Sequence, residues 1–158
     1  MLSKLEEVAA RRGLPFERVD LDGLGAQADV IITITSSFAP ILKAAQVRPG
    51  THIACMGTDT VGKQEVEAEL VARASVFTDE VAQAVTLGES QHAVAAGLVD
   101  AGSIVEIGQV VTGGHAGRTT PEEITLFDGT GVGLQDLAVA SAIVDLAVRK
   151  GIATEVEF

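Results

Sequence analysis

The sequence predicts an α/β fold with a mainly parallel sheet flanked by helices, and three observations carry that prediction. Val30-Ile31-Ile32-Thr33-Ile34-Thr35 is an unbroken, largely β-branched run of the kind found in strands buried on both faces. Short apolar stretches recur at His52–Met56, Ser75–Thr78 and Ile124–Phe127, with helical patterns between them and short turns linking the two. Residues 133–150 set Leu134, Leu137, Ala138, Ala140, Ile143, Val144 and Val148 nearly all round one helix. A helix that apolar normally packs inside a protein or against a second domain.

Each element has its own signal. Leu2, Leu5, Val8 and Ala9 fall at helical spacing, and Gly13 after Arg11-Arg12 supplies a stop. Pro15 to Asp20 alternates as a short strand would, giving an expected strand at 15–19. Asp29 leads into the strand at 30–35, which Ser36-Ser37 ends. Residues 40–47 form a short connection, strand or helix, closed by Pro49-Gly50. His52–Met56 is the next buried strand. Lys63 to Ala74 reads as one helix with Val66, Leu70 and Val71 on a face. From Glu80 to Val111 the pattern is helical pieces broken at Gly88, Gly97-Leu98 and Gly102, and residues 112–117 are a loop. Gly129-Thr130-Gly131 turns the last strand into the long helix.

Bulk properties exclude several classes of function. At 158 residues, 47% hydrophobic and with a mean hydropathy of +0.34, the chain can bury a sizeable core. A net charge of −11, with 11 scattered basic residues and neither Trp nor Tyr, argues against nucleic acid as a partner. No apolar run approaches the ~20 residues that span a bilayer, so no membrane is expected. The acidic start, residues 1–7, is unlike a signal peptide. A single cysteine, Cys55, excludes an internal disulfide and suits a reducing cytoplasm, the expected location.

Chemistry concentrates at three strand ends: Thr35-Ser36-Ser37, Gly57-Thr58-Asp59-Thr60 and Asp128-Gly129-Thr130-Gly131. Gly, Ser, Thr and Asp dominate tight turns for their own reasons. Three such turns at one end of a parallel sheet nonetheless point to a binding crevice, because ligands of open α/β sheets sit outside the carboxyl ends of the strands. Asp59 is the candidate general base, a role for which partial burial would raise its pKa toward the working range. Asp128 reads better as an N-cap of the long helix. Lys63 counters Asp59, meets a ligand carboxylate, or is simply solvated. His52, His92 and His115 match no metal spacing, and no metal site is expected. No P-loop, GxGxxG or nucleophile elbow occurs; Gly23-Leu24-Gly25 lies in a helical stretch, the wrong context for a phosphate loop.

Four blocks carry a resemblance. Pro49-Gly50-Thr51-His52 through Gly57-Thr58-Asp59 and Gly62-Lys63-Gln64-Glu65, then Gly88 to Ala93, then Gly117-Arg118-Thr119-Thr120, then Ile124 to Leu137, resemble consecutive segments of the ornithine cyclodeaminase/mu-crystallin family. The resemblance implies a Rossmann-like NAD(P)-binding domain and chemistry on a small amino or imino acid. Asp59 matches the family's catalytic aspartate. Thr35, Ile53, Ala54, Cys55, Met56, Thr60 and Gly129 match cofactor-side positions, and Thr130 a position that touches substrate. Gly129 stands where the family often has serine.

Only the second half of a family member is matched. Residues 1–132 correspond to a partial Rossmann-like domain lacking its first two strands and phosphate loop. Residues 133–158 correspond to a C-terminal helix that in the family packs on the substrate and dimerisation domain. The expectations are a bare edge on the strand at 30–35, weak binding of NAD or NADP and little activity by the chain alone. An ornithine cyclodeaminase, which converts ornithine to proline with release of ammonia, is one implied activity. Reduction of iminosuccinate or a pyrroline carboxylate is the alternative. A homo-oligomer, a half-enzyme completed by a second chain, and a non-enzymatic binding module are the further readings.

Overall fold

A computed structural model describes residues 2–156. Helix α1 (Leu2–Arg12) stops at Gly13, whose φ of +65° is the left-handed value that ends helices. The strand expected at 15–19 does not form. Residues 14–20 have no regular structure and are exposed, because no described segment lies beside them to complete a ladder. Asp20 then caps α2 (Leu21–Gln27), accepting a 2.7 Å hydrogen bond from the Gly23 amide.

The main sheet holds β1 (Val30–Thr33), β3 (His52–Cys55), β7 (Thr125–Asp128), β5 (Ser75–Thr78) and β6 (Val105–Glu106), in that spatial order and all parallel. Ile31, Ile53, Leu126 and Val76 form one rung across it and face the core. Leu70 and Val71 of α3 (Ala68–Arg73) and Ala93 of α5 (Gln91–Ala95) join the same cluster. The neighbouring rung, Ile32, Ala54, Phe127 and Phe77, points the other way.

That second face corrects the expectation of strands buried on both sides. Ile32 is 68% exposed and Val30 56%, because no described helix crosses this part of the sheet. Only the far end is covered, where α6 (Ile107–Val111) and the loop behind it bring His115 edge-on to Phe77 at 5.8 Å. β1 is the edge strand of the described sheet, as expected.

Residues 63–74 are also not one helix. Gln64–Val66 is a strand, β4, paired in parallel with β2 (Phe38–Leu42) in a separate two-stranded sheet. Val66 and Leu42 sit opposite each other in the core, and two consecutive amides, Glu65 and Val66, are claimed by a buried carboxylate. A short helix, α4 (Val81–Ala84), follows β5.

The final helix, α7 (Gly133–Arg149), has no buried residue among those described. Leu134, Leu137, Ile143 and Val148 are all well exposed. Asp128 does not cap it; the capping position is Val132, and the Asp128 carboxylate turns inward instead. No described helix is long and apolar enough to cross a membrane.

Candidate active site at the strand ends

Parallel strands in register finish together. Thr33, Cys55, Asp128 and Thr78 form the last rung. The turns that follow leave the sheet as neighbours, held by Met56 N–H to Thr33 O at 2.8 Å and Gly129 N–H to Cys55 O at 2.9 Å. Thr35, Met56 to Thr60, Gly129 and Thr130 are thereby gathered on one crest. The approach of two turns is close enough to require glycine: a Cβ on Gly57 would stand 2.2 Å from the Thr35 carbonyl oxygen. Over the third turn lies Met56, whose sulfur would be 2.7 Å from a Cβ on Gly129.

Asp59 stands on this crest, and its environment differs from the one a buried base would need. Its side chain is 63% exposed. Lys63 Nζ lies 2.7 Å from Oδ1, and the Thr60 hydroxyl donates to the same oxygen at 3.0 Å. Hydrogen bonds from Lys63 and Thr60, with the lysine's charge behind them, hold the Asp59 pKa below the ordinary carboxylate value. Asp59 is therefore ionised at neutral pH, and Oδ2 has no hydrogen-bond donor among the described residues. Lys63 is not the solvated lysine of a helix start. It is largely buried, and its ammonium also donates to Gly57 O at 3.3 Å.

Beneath the crest lie three buried carboxylates whose neighbours are donors. Glu65 accepts from the Thr33 hydroxyl at 2.7 Å, the Gly57 amide at 3.0 Å and the Thr35 amide. Glu89 accepts from the amides of Glu65 and Val66 at 2.8 and 2.7 Å and from the Thr58 hydroxyl. Asp128 accepts from the amides of Glu89 and Ser90, both at 2.9 Å, and from the Ser90 hydroxyl at 2.8 Å. Burial pushes Glu89 and Asp128 up in pKa, against the pull of those donors. A fourth carboxylate, Asp79, grips the last turn through the Thr130 hydroxyl at 2.6 Å and the amides of Thr130 and Gly131. Burial raises its pKa, but the Thr130 hydroxyl and the two amides outweigh that and bring it below the ordinary value.

The residues singled out in the sequence divide into three groups. Thr35, Met56, Asp59 and Thr60 are exposed on the crest, and Gly129 and Thr130 are buried in its last turn. Ile53 and Cys55 turn their side chains into the core, where burial also pushes the Cys55 thiol up. Ala54 looks onto the open face. The roles of Glu65, Glu89 and Asp79 were not read from the sequence. Their one visible trace was position, since Glu65 and Glu89 fall inside the blocks quoted above.

A family profile, ornithine cyclodeaminase/mu-crystallin, matches residues 20–151. The iminosuccinate reductase of Paracoccus denitrificans (strain Pd 1222) is 62% identical over 157 residues, 99% of this chain and 49% of its own length. Its crystal structure in complex with NAD+ superposes with a TM-score of 0.94 at 61% identity, over 100% of this chain and 49% of that one. The alanine dehydrogenase of Archaeoglobus fulgidus is 38% identical over 84% of this chain and 42% of its own length. A probable ornithine cyclodeaminase from Bordetella pertussis Tohama I superposes with a TM-score of 0.84 at 28% identity, over 96% of this chain and 49% of that one. The chain thus spans about half the length of the relatives it matches. On the profile match across most of its length, and with that fold and crest, the chain belongs to the ornithine cyclodeaminase/mu-crystallin family.

Proposed function

We propose that this chain supplies the nicotinamide-side part of an NAD(P)-dependent oxidoreductase that reduces an imino acid to an amino acid, with iminosuccinate the favoured substrate. The observation that carries this is the 62% identity across 99% of the chain to an iminosuccinate reductase. Ornithine cyclodeamination ranks behind it, since the relatives whose names give a cyclodeaminase stand at 28 to 40% identity.

The crest suits a flat ring. Gly57 carries no side chain there and the exposed Thr35 and Thr60 add hydroxyls beside it, while Gly129 and Thr130 lie buried behind them, Gly129 against the Met56 sulfur. Thr35, Met56, Thr60 and Gly129 would hold the nicotinamide side of the cofactor, which supplies hydride when bound. Ile53, Ala54 and Cys55 support the strand beneath. Among the described residues no glycine-rich turn opens a helix to take the pyrophosphate, so the nicotinamide side is the part this chain serves.

Asp59 does the polar work. An imine accepts hydride at carbon far better when its nitrogen is protonated, and an ionised carboxylate beside that nitrogen stabilises the cation. Oδ2 is free to accept from that N–H while Oδ1 keeps Lys63 and Thr60. With its pKa held down by Lys63 and Thr60, Asp59 serves here as the anion that accepts the iminium N–H. Thr130 would meet the substrate. Residues 133–158 form the segment that packs on a substrate and dimerisation domain, a reading supported by an apolar α7 with no buried residue. A homo-oligomer in the cytoplasm goes with this assignment.

The test uses the protein expressed from its complete gene. NADH consumption is followed with iminosuccinate formed in place from oxaloacetate and ammonia and with Δ1-pyrroline-2-carboxylate, and proline formation from ornithine, which consumes no net NADH, is assayed separately. Aspartate formation that Asp59→Asn abolishes is the expected result. Proline from ornithine without turnover of iminosuccinate would overturn the assignment.

A further inference from the structure

Asp59 is an exposed residue on a loop, and its described partners, Lys63 and Thr60, belong to that same loop. Its place relative to the other crest turns must come from the residues beside it. Thr58 is one of these, buried to 1% exposure, with its hydroxyl on Glu89. Glu89 sits between α4 and α5, equally buried, and uses both carboxylate oxygens. Oε1 takes the Glu65 and Val66 amides, and Oε2 takes the Thr58 hydroxyl and shares the Glu65 amide at 3.0 Å.

The chain of bonds continues to the other side of the site. The Glu89 amide donates to Asp128 Oδ1, and Asp128 is followed directly by Gly129 and Thr130. Gly88 allows this contact, because a Cβ there would stand 2.7 Å from Asp128 Oδ1 and from the Ala84 Cα. Gln91 secures the far end of the Asp59 loop, accepting from the Gly62 amide at 2.7 Å and donating to Gly88 O at 2.9 Å. One buried unit therefore runs from the turn that carries Thr130 to the loop that carries Asp59.

We propose that Glu89 is a positioning residue, which acts through the Thr58 hydroxyl to set the Asp59 carboxylate against the Gly129–Thr130 turn. The inference rests on the reading of Asp59 given above. A buried carboxylate facing only donors, with no cation beside it, is costly unless each oxygen is used. A glutamine would satisfy the same two amides with its single oxygen. What the second carboxylate oxygen adds, besides a shared hold on the Glu65 amide, is an acceptor for Thr58, and Thr58 is the residue bonded covalently to Asp59.

Thr58→Val removes that donor while keeping the shape, Thr58→Ser restores it, and Glu89→Gln removes the acceptor. All are made in the protein expressed from its complete gene, with Asp59→Asn alongside, and kcat is normalised to NADH sites titrated by fluorescence. Thr58→Val is expected to lower kcat about ten- to a hundredfold, the scale of a displaced catalytic group, with NADH affinity unchanged. Thr58→Ser should return kcat to within about threefold of the parent, and the Thr58→Val/Glu89→Gln double variant should be no slower than Thr58→Val alone. A Thr58→Val enzyme with parental kcat beside an inactive Asp59→Asn overturns the positioning role and leaves the Asp59 reading standing. An active Asp59→Asn overturns both. Should Glu89→Gln fail to fold, the Thr58 pair decides the matter.

Discussion

The two faces of the main sheet are made by alternate residues of the same strands, and they end in opposite conditions. Ile31, Ile53, Leu126 and Val76 are each no more than 5% exposed, whereas Ile32, one residue along from Ile31, is 68% exposed. Side-chain alternation assigns residues to faces, but it does not decide which face is covered. Coverage comes from the connections: α3 and α5 contribute to the same buried cluster as the first face. The polar crest inherits this asymmetry, since Glu65, Glu89 and Asp128 all lie buried beneath it.

Core truncation should expose the contrast most strongly. Leu126→Ala on the covered face is expected to lower stability by about 2–5 kcal/mol, through lost burial and an unfilled cavity. Ile32→Ala on the open face is expected to stay within about 0.5 kcal/mol in this chain. Urea unfolding followed by circular dichroism would show a shifted midpoint for the first and an unchanged one for the second. Equal effects would mean that the second face is covered in solution.

Two crest glycines extend the comparison to the site. A methyl group at Gly57 meets the Thr35 carbonyl oxygen at 2.2 Å and the Thr35 nitrogen at 2.5 Å, both backbone. A methyl at Gly129 meets chiefly the end of the Met56 side chain, at 2.7 and 2.8 Å, which can swing aside. Gly57→Ala should cost about 1–3 kcal/mol, the usual range for overpacking, and Gly129→Ala clearly less. Thermal unfolding of the pair gives the ordering, and the reverse order would place the tight approach at the wrong turn.

What was legible in the sequence follows from the range of the signal. The strands at 30–35, 52–56, 75–78 and 124–127 announced themselves through local apolar runs, and α7 through its length. The segment at 15–19 has a strand's alternation but no partner, and a strand without a ladder is not stable. Residues 64–66 failed in the opposite direction. Val66, Leu70 and Val71 share a helical spacing, yet the amides of Glu65 and Val66 are taken by Glu89, some 23 to 24 residues away. No local pattern reports a carboxylate that far along the chain. The crest itself was readable because small polar residues at strand ends are a local signal, and Asp59 stood out within it. Its ionisation was not, because that depends on Lys63 folding back to Oδ1 instead of starting a helix.

The smallest effect concerns the two ends of the sheet under acid. At the end where β5 and β7 begin, Glu123 accepts from the Ser75 hydroxyl and from the amides of Thr119 and Thr120, at 2.6 and 3.4 Å for the amides. These bonds, the Ser75 hydroxyl foremost, lower its pKa from 4.5 to about 2. A depressed carboxylate contributes stability that is full above its unfolded pKa and is lost as pH falls through the folded one. Glu123 should therefore make the fold acid-sensitive between about pH 4.5 and 2. At the crest the signs are mixed: Glu89 and Asp128 are raised by burial, so the fold gains from their protonation as pH drops, while Asp59 and Asp79 are lowered and lose stability in acid as Glu123 does. Glu123→Gln should flatten the acid limb of a stability-against-pH curve measured by urea unfolding, by lowering stability at pH 7, where the ionised Glu123 contributes in full, toward the value at low pH. If the limb keeps its slope, the acid sensitivity arises elsewhere and the starting end of the sheet is not its weak point.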